Sequence, residues 1–529
     1  MDTPLATSVI RALLRHTPRT PSRYHRQFHT PSSARLRYTP VRRYQDNWDN
    51  NNPRFRQASS PPLAKKKKEV PGSLSTLFVR DDIKDAQAQG EWFPKNPFLQ
   101  IDMSEEMRRF PMVTAQDLAR RRERPRRVKM LVRDYIDDAL YNQHYGYFSK
   151  HAVIFETSSP FDFPSMRDEL DFHDRLADEY TRFEDALDAA NPDGPNHLRQ
   201  LWHTPTELFK PYYGEAIARY LVANYKLSMY PYKDLIIYEM GAGNGTMMRN
   251  ILDYIRDNEP DVYARTRYRV IEISSHLAQL QQKQVENAHV DKIEVINKSI
   301  FDWDIYVPEE CFFLALEVLD NFAHDMIRYD PDTEQPLQGV VLCDRDGDMY
   351  DVYTAELDPV AERFLKLRSR VVEAPYYHPL GMPKVLRKLR AMLPGNGNLT
   401  EPEYIPTKAM LFFDVLREWF PGHKLVMSDF SELPEAVEGV NGPVVQTRYN
   451  RKTVPVTTPF VQQGYFDILF PTDFDVINDL YKALTGKLTR VMKHDDFMER
   501  WAYLEQTQTR SGENPLLTWY KNVSMLSSV

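Results

Sequence analysis

Three glycines alternate with other residues in the stretch YEMGAGNG, directly after an apolar run. Gly241, Gly243 and Gly245 form a GxGxG pattern, which permits a tight turn and lets a ligand touch the main chain. A helix beginning after this loop would add unpaired N–H groups and partial positive charge. The dinucleotide pattern GxGxxG is absent because residue 246 is Thr, and the GK[ST] of a phosphate loop is also absent.

Three acids near the loop suit a ligand that carries positive charge. Glu239 lies two residues ahead of the loop, where it would repel a pyrophosphate. Glu272 ends the next predicted strand, RVIEIS, where a carboxylate can accept hydrogen bonds from both ribose hydroxyls. Asp302, in SIFDW after a third strand, is placed to meet an adenine amino group. We therefore predict S-adenosyl-L-methionine as the cofactor; an α/β turn with incidental glycines is the alternative.

Two further acids could act on a substrate. Glu317 and Asp320 follow a fourth apolar strand, in the stretch LEVLDN. Carboxylates can clamp a guanidinium through paired, charge-assisted hydrogen bonds, and methyl transfer depends strongly on positioning. Asn321 could orient the two acids, and Asp429 is a further candidate for substrate binding. The same acids could instead cap the following helix or pair with basic neighbours.

Histidine and cysteine patterns do not indicate a metal site. The fourteen histidines form no HExxH motif, and the two cysteines, Cys311 and Cys343, form no CxxC motif. His324 follows the two acids and could take a proton, although a lone histidine near a strand end is more often incidental.

Strands and helices alternate in the sequence pattern between residues 234 and 320. Apolar runs such as DLIIYEM and CFFLALEVL are typical of strands buried on both faces. Amphipathic stretches such as TMMRNILDYIRD separate them. This alternation predicts an α/β fold with a parallel sheet and right-handed crossovers.

Composition divides the chain into segments. Residues 1–44 are predicted as a targeting segment and 45–75 as a disordered linker. We expect a helical N-terminal region with an acidic insertion over 76–233. A Rossmann-like domain over 234–529 is expected to carry a helical insertion at about 355–422.

The first 44 residues contain nine arginines, no lysine and one acid. Such Arg-rich, acid-poor, amphipathic termini are typical of mitochondrial import, and we predict a matrix location; a basic disordered tail is the alternative. Without this segment the net charge would fall from −7 to −15, which disfavours general nucleic-acid binding. No apolar run of about 18 residues is present, so we expect no membrane span.

Several sequence blocks resemble a known family. They include YEMGAGNGTMMRNIL, VIEISSHLAQLQQKQV, ALEVLDNFAHD, KLVMSDF and GYFDILFPTDFDVI, together with an N-terminal GYF. These resemble the mitochondrial protein-arginine methyltransferases that act as complex I assembly factors, with MidA-like relatives. The resemblance implies a class I S-adenosylmethionine methyltransferase fold with an N-terminal helical region and inserted helical segments.

The resemblance also implies a substrate and a site. It implies an arginine-bearing protein as substrate, a complex I subunit, and it puts Glu317 and Asp320 on the family's own motif acids. It places GYF (146–148) in an N-terminal lid that could fold over the cofactor. The chain departs from the family pattern at Leu316, where the family has Asn, and in an acidic stretch before HTPTELFKPYYGEAIA.

Two other functions stay open at this point. An assembly or binding protein could retain the methyltransferase fold without catalysis. Methylation of RNA or a small molecule is the other possibility. It lacks support, because no [ND]PP[YF] motif is present and neither cysteine lies in a cytosine-C5 methyltransferase motif.

Overall fold

The computed structural model describes residues 105–528 except 151, 193, 286–287, 373–376, 392–398 and 435, together with the strand Glu91–Trp92. The described residues all belong to one of two units into which the chain divides, Val79–Val529. The predicted targeting segment 1–44 and linker 45–75 lie outside the described residues.

The strands are β1 (Glu91–Trp92), β2 (Val128–Leu131), β3 (Ala152–Ile154), β4 (Gln200–Trp202), β5 (Leu235–Met240), β6 (Thr266–Ile271), β7 (Ile293–Ile296), β8 (Cys311–Leu316), β9 (Asp325–Tyr329), β10 (Pro336–Cys343), β11 (Met349–Thr354), β12 (Glu403–Ile405), β13 (His423–Phe430), β14 (Val444–Tyr449), β15 (Lys452–Val456), β16 (Asp467–Leu469), β17 (Thr489–Lys493) and β18 (Val523–Ser528).

The helices are α1 (Glu105–Arg108), α2 (Ala115–Leu118), α3 (Val132–Tyr141), α4 (Tyr147–Lys150), α5 (Glu169–Ala190), α6 (Pro205–Leu208), α7 (Tyr212–Ser228), α8 (Thr246–Asn258), α9 (Pro260–Tyr263), α10 (Ser275–Val285), α11 (Pro359–Val371), α12 (Lys384–Ala391), α13 (Thr407–Trp419), α14 (Phe474–Thr485), α15 (His494–Trp501) and α16 (Pro515–Thr518). Short 3-10 turns span Phe163–Ser165, Ile300–Asp302 and Leu504–Gln506.

The central sheet has the strand order β17-β18-β13-β8-β5-β6-β7. Strands β5, β6, β7, β8 and β13 are parallel to one another, and β18 runs antiparallel to both β13 and β17. The chain order reverses direction between β5 and β8, and ligands of open α/β sheets bind at such a switch point. The predicted Rossmann-like α/β fold is therefore confirmed.

Burial explains why these segments form the centre of the fold. Every residue of β5, LIIYEM, is buried, as the continuous apolar run predicts. Helices α7 and α8 pack on one face of the sheet, and α13 and α14 pack on the other. In α8 one apolar face is buried against the sheet: Met247, Met248, Ile251, Leu252 and Ile255.

Three helices, α11, α12 and α13, lie in the segment where a helical insertion is expected, at about 355–422. However, the chain first builds a second sheet, ordered β1-β11-β10-β9-β12, with β2 paired to β10. The apolar run of β10 is buried and forms the middle of this sheet. Strand β14 pairs with β15 and β16 in a separate sheet.

The acidic insertion of the N-terminal region forms a long helix. The Asp168 carboxylate caps α5 by accepting a hydrogen bond from the backbone N–H of Asp171 at 2.9 Å. Phe172 is buried on its inner face. The buried Glu184 pairs with Arg448 at 2.8 Å, which ties this helix to β14. None of the helices in the described part of the chain is long and apolar enough to cross a bilayer.

The N-terminal region packs closely on the loop before β16 at Gly464, where there is no room for a side chain. A Cβ on Gly464 would lie 1.7 Å from the carbonyl oxygen of Tyr145, and the residue has a φ of +84°. Gly486 has a similar φ of +71°, but nothing lies within 4 Å of its Cβ position. We expect Gly464→Ala to lower the free energy of unfolding by more than about 3 kcal/mol, and Gly486→Ala by about 1 kcal/mol.

Urea denaturation of both glycine variants measures this difference. Similar losses for the two would contradict the close approach at Gly464, because the backbone conformation alone would then account for both.

Candidate functional site

The glycine loop bends the main chain at the carboxyl end of β5. Gly241, Gly243 and Gly245 have φ values of +71°, +53° and +83°, a region that favours glycine. Gly245 immediately precedes α8, so the helix begins at the end of the loop. The loop therefore places bare backbone and a helix N-terminus at the switch point of the sheet.

Glu239 lies beneath this loop and is buried. Its carboxylate accepts a hydrogen bond from the Tyr268 hydroxyl at 2.8 Å. Burial raises the pKa of Glu239 to about 7, and nearby Glu272 raises it further while Tyr268 lowers it. A cation bound beside these two acids would favour their charged forms.

Gln281, which was not among the predicted site residues, links Glu272 to the glycine loop. Gln281 Nε2 donates hydrogen bonds to Glu272 Oε2 at 3.0 Å and to the carbonyl oxygen of Gly243 at 2.8 Å. The other Glu272 oxygen accepts the Ser274 N–H at 2.8 Å. Burial raises the pKa of Glu272. Gln281 lies in the block VIEISSHLAQLQQKQV, which also contains Glu272, so the resemblance of that block to the family could have indicated it.

Asp302 stands apart from this group. It ends a 3-10 turn after β7, and its side chain is exposed. Asn297, in the same connection, donates from Nδ2 to the backbone carbonyl of Glu272 at 2.7 Å. This bond joins the carboxyl ends of β6 and β7 beside Glu272, the acid predicted to bind the ribose. Asp302 stays a candidate contact of the adenine.

The N-terminal region reaches the glycine loop from outside the sheet. A Cβ on Gly243 would lie 2.9 Å from Ile154 Cδ1, so β3 packs directly on the loop. The buried Glu207 accepts hydrogen bonds from the Thr246 hydroxyl at 2.7 Å and from Asn244 Nδ2 at 3.3 Å. These contacts hold the start of α8 in place.

The GYF segment lies elsewhere than predicted. Tyr147 is buried beside Asp467; burial raises the pKa of that acid to about 7, and the Tyr147 hydroxyl opposes part of this rise. Phe148 stacks on Tyr141 with ring centroids 5.4 Å apart. Ile154 lies against Gly243 of the glycine loop. The segment GYF contacts the predicted substrate side of the site.

Four carboxylates converge where β8 and β13 end: Glu317, Asp320, Asp429 and Asp467. The first three were predicted from the sequence, and Asp467 was not. None of the four forms an ion pair with a basic side chain among the described residues. Mutual repulsion and burial both favour protonation of such groups. Burial raises the pKa of Asp320 and Glu317 well above the usual range, and each of the two acids has another carboxyl nearby.

Asp429 organises the turn that carries Asp320. Asp429 Oδ2 accepts the backbone N–H groups of Leu319 at 2.8 Å and Asp320 at 3.1 Å. Its other oxygen accepts the Phe430 N–H at 2.8 Å. Asp429 is fully buried, and burial raises its pKa to about 7. This geometry fits a positioning residue better than a substrate contact.

Glu317 is held in a strained backbone conformation. Its φ of +51° lies in the left-handed region, which is uncommon for residues other than glycine and clusters at functional sites. The Glu317 N–H donates to the Ser428 carbonyl at 2.8 Å, which fixes this turn to β13. Its carboxylate accepts no hydrogen bond from a side chain in the described part of the chain, and it remains partly exposed.

Asn321 and His324 both lie close to the acids. Asn321 Nδ2 donates to Asp467 Oδ1 and to the Ile468 carbonyl, each at 3.1 Å, so its amide is directed to β16. His324 is buried and stacks on Phe470 at 3.8 Å. Burial lowers the pKa of His324 to about 3, which makes it a poor proton acceptor near neutral pH.

The loop and its neighbouring acids fit S-adenosyl-L-methionine. The bare backbone admits a nucleoside, and Glu239 and Glu272 match its cationic and ribose groups. The Oε1 atom of Gln281 is buried and has no hydrogen-bond partner among the described residues, so it is available to a ligand. The acids at the ends of β8 and β13 lie on the neighbouring side of the switch point.

A family model described as "Putative S-adenosyl-L-methionine-dependent methyltransferase" matches residues 216–492. The chain belongs to this family. The match runs from within α7 to β17, leaves only β18 of the central sheet outside it, and includes both the glycine loop and the four carboxylates. S-adenosyl-L-methionine is therefore the cofactor of this methyltransferase.

Two curated relatives carry the same description, "Protein arginine methyltransferase NDUFAF7 homolog, mitochondrial". The Schizosaccharomyces pombe protein is 25% identical over 313 residues, which cover 55% of this chain and 64% of the relative. The chain thus spans just under two thirds of that relative's length. The Saccharomyces cerevisiae protein is 20% identical over 341 residues, which cover 60% of this chain and 78% of the relative.

A crystal structure of a protein from Burkholderia thailandensis, bound to S-adenosyl-homocysteine, is also similar to this methyltransferase. The two are 13% identical, with a TM-score of 0.48, over 76% of this chain and 88% of the other.

The buried acids predict how stability depends on pH. The pKa of Asp467 is raised by burial to about 7, so its protonated form stabilises the fold, and this contribution is lost as the pH rises through 7. We expect Asp467→Asn to become more stable relative to wild type between pH 5 and pH 8. Urea unfolding of the cofactor-free protein across this range measures the difference.

The exposed Asp496 supplies the control for this experiment. Asp496→Asn should keep a constant stability difference from wild type over the same range. If Asp467→Asn behaved in the same way, the Asp467 carboxyl would not be buried and protonated as described.

Proposed function

We propose that this methyltransferase transfers the methyl group to arginine side chains of a mitochondrial protein. The observation that carries the proposal is the set of buried acids at the ends of β8 and β13. No basic side chain of the described residues neutralises them. Isolated buried charges are costly unless they are paired, and a guanidinium from outside the chain would pair with them.

Glu317 and Asp320 are the proposed catalytic acids. A guanidinium stays protonated and delocalised, which makes its nitrogens poor nucleophiles. Two carboxylates can hold it in one plane and stabilise its positive charge. Glu317 is the more accessible of the two, and its strained backbone directs it away from the regular strand.

The cofactor supplies an electrophilic methyl group on a sulfonium. A guanidinium nitrogen held by Glu317 and Asp320 would take that methyl group, and the electron pair of the broken carbon–sulfur bond would stay on sulfur. The proton released from the nitrogen passes to the Glu317 carboxylate and then to solvent. Asp429 positions Asp320 through two backbone N–H groups, and Asn321 orients the neighbouring Asp467.

The proposed location is the mitochondrial matrix, and the proposed substrate is a subunit of respiratory complex I. The mitochondrial descriptions of the two curated relatives support the compartment. Their description as arginine methyltransferases supports a protein substrate. The sequence resemblance to complex I assembly factors supports the choice of subunit, and the acidic charge of residues 45–529 suits an arginine-bearing partner.

Cofactor binding is tested by calorimetric titration of S-adenosyl-L-methionine into the full chain. We expect Glu272→Ala to weaken binding by about 10-fold or more, because a buried acceptor for the ribose hydroxyls is lost. Gln281→Leu should weaken it less, since the Glu272 carboxylate stays and only the amide that positions it and offers Oε1 to the ligand is lost. Gly243→Arg should abolish binding, because the side chain would fill the loop and meet Ile154.

Unchanged affinity in Glu272→Ala would remove Glu272 from the cofactor site. Unchanged affinity in Gly243→Arg would place the cofactor away from the glycine loop altogether.

Methyl transfer is tested with arginine-containing peptides from complex I subunits, with products identified by mass spectrometry. We expect Glu317→Gln to lower kcat by about 100-fold, because the charge that stabilises the reacting guanidinium is lost. Glu309→Gln is the matched control, since Glu309 is exposed at the opposite end of β8 and should retain full activity.

Saturable cofactor binding without transfer to any arginine peptide would favour the alternative of an assembly protein that retains the fold. Transfer with equal rates in Glu317→Gln and wild type would remove Glu317 from the catalytic site.

A further inference from the structure

Three hydroxyl groups around Glu317 are buried without a hydrogen-bond partner. They belong to Tyr213, Ser428 and Tyr520, which are 1%, 0% and 5% exposed, and none of them is paired among the described residues. Buried polar side-chain atoms in folded proteins are paired in the large majority of cases. Three unpaired hydroxyls beside one acid therefore point to a ligand that pairs with them.

The three hydroxyls come from separate elements that meet at Glu317. Tyr213 lies in the first turn of α7, Ser428 lies in β13, and Tyr520 precedes β18. The backbone places Ser428 directly beside Glu317, whose N–H donates to the Ser428 carbonyl at 2.8 Å. Burial raises the pKa of both tyrosines, and the nearby Glu317 carboxylate raises it further, while the neighbouring Ser428 hydroxyl lowers that of Tyr213.

His494 holds the two tyrosine rings in place. Its ring lies 5.8 Å from Tyr213 at an interplanar angle of 13°, and 5.8 Å from Tyr520 at 43°. Its Nε2 atom is bonded to the Leu516 carbonyl oxygen at 3.1 Å. Burial lowers the pKa of His494 to about 4, so at neutral pH it is an uncharged spacer that does not compete with a cationic ligand.

We propose that Tyr213, Ser428 and Tyr520 form the hydrogen-bond acceptor wall of a guanidinium site beside Glu317. This inference rests on the arginine methyltransferase function proposed above. A guanidinium has five N–H donors and no acceptor, and hydroxyl oxygens can each accept. Glu317 disfavours an anion at this position. The planar guanidinium of arginine spreads its donors more widely than the compact ammonium of lysine. It therefore suits acceptors that come from three separate elements.

The test uses the full chain saturated with S-adenosyl-homocysteine. The probe is N-acetyl-arginine amide, and N-acetyl-citrulline amide is its uncharged counterpart. Wild type should bind the arginine probe more tightly. The double variant Tyr213→Phe/Tyr520→Phe should bind it about 10-fold more weakly, because two acceptors are lost. The KM for an arginine peptide should rise similarly, with kcat and cofactor affinity within about twofold of wild type.

Thermal unfolding separates a binding role from a structural one. Tyr213→Phe and Tyr520→Phe each remove an unpaired buried hydroxyl, so we expect the Tm of the cofactor-free protein to rise or stay level. Tyr481→Phe is the control, because the Tyr481 hydroxyl is bonded to His423 Nε2 at 2.7 Å. That variant should lower the Tm and leave the KM unchanged.

The outcomes distinguish this inference from the proposed function. If wild type methylates arginine peptides and the double variant keeps wild-type KM and probe affinity, the hydroxyls meet only water and the inference alone is overturned. A loss of cofactor affinity with unchanged probe affinity also overturns it. If wild type neither binds the arginine probe nor methylates any arginine peptide, both proposals fail.

Discussion

Burial of like charges is the constraint on which the site depends. Asp320, Asp429 and Asp467 lie within the fold where β8, β13 and β16 come together, and Glu317 stands at their edge. In such surroundings each carboxyl favours its protonated form. The fold keeps these acids at a cost in stability, and the proposed guanidinium would offset that cost. The electrostatics that raise their pKa values therefore favour a cationic ligand over an anionic one.

Backbone donors explain how the chain tolerates these acids. Asp429 accepts two N–H groups from the turn after β8 and one from the next residue of its own strand, so its charge is partly compensated by dipoles instead of cations. Glu239 likewise accepts a hydrogen bond from Tyr268, and Glu272 accepts hydrogen bonds from Ser274 and Gln281. In both halves of the site, neutral donors position carboxylates and leave their charge available. A lysine or arginine in the same places would hold the acids equally well but would compete with the ligand.

The sequence predicted the part of the site that local pattern determines. The apolar strands, the glycine loop and the acids at strand ends follow each other closely in the chain, so their order indicated the α/β fold, which is confirmed. Contacts made by distant segments could not be predicted in this way. Ile154 reaches the loop from β3, and Tyr213 and Tyr520 meet although about 300 residues separate them. The second sheet was missed because β10 is an apolar run without alternation, whose partners are distant along the chain.

The unpaired hydroxyls and the unpaired acids follow the same physical logic. A sequence selected only for stability would replace Tyr213 and Tyr520 with phenylalanine, because burying a polar group without a partner destabilises the fold. It would likewise replace Asp467 with an amide or an apolar residue. The chain instead places both kinds of costly group beside Glu317, whose own backbone is strained. Three independent departures from the most stable arrangement, all at one strand end, are best explained by a ligand that pairs with the acids and the hydroxyls together.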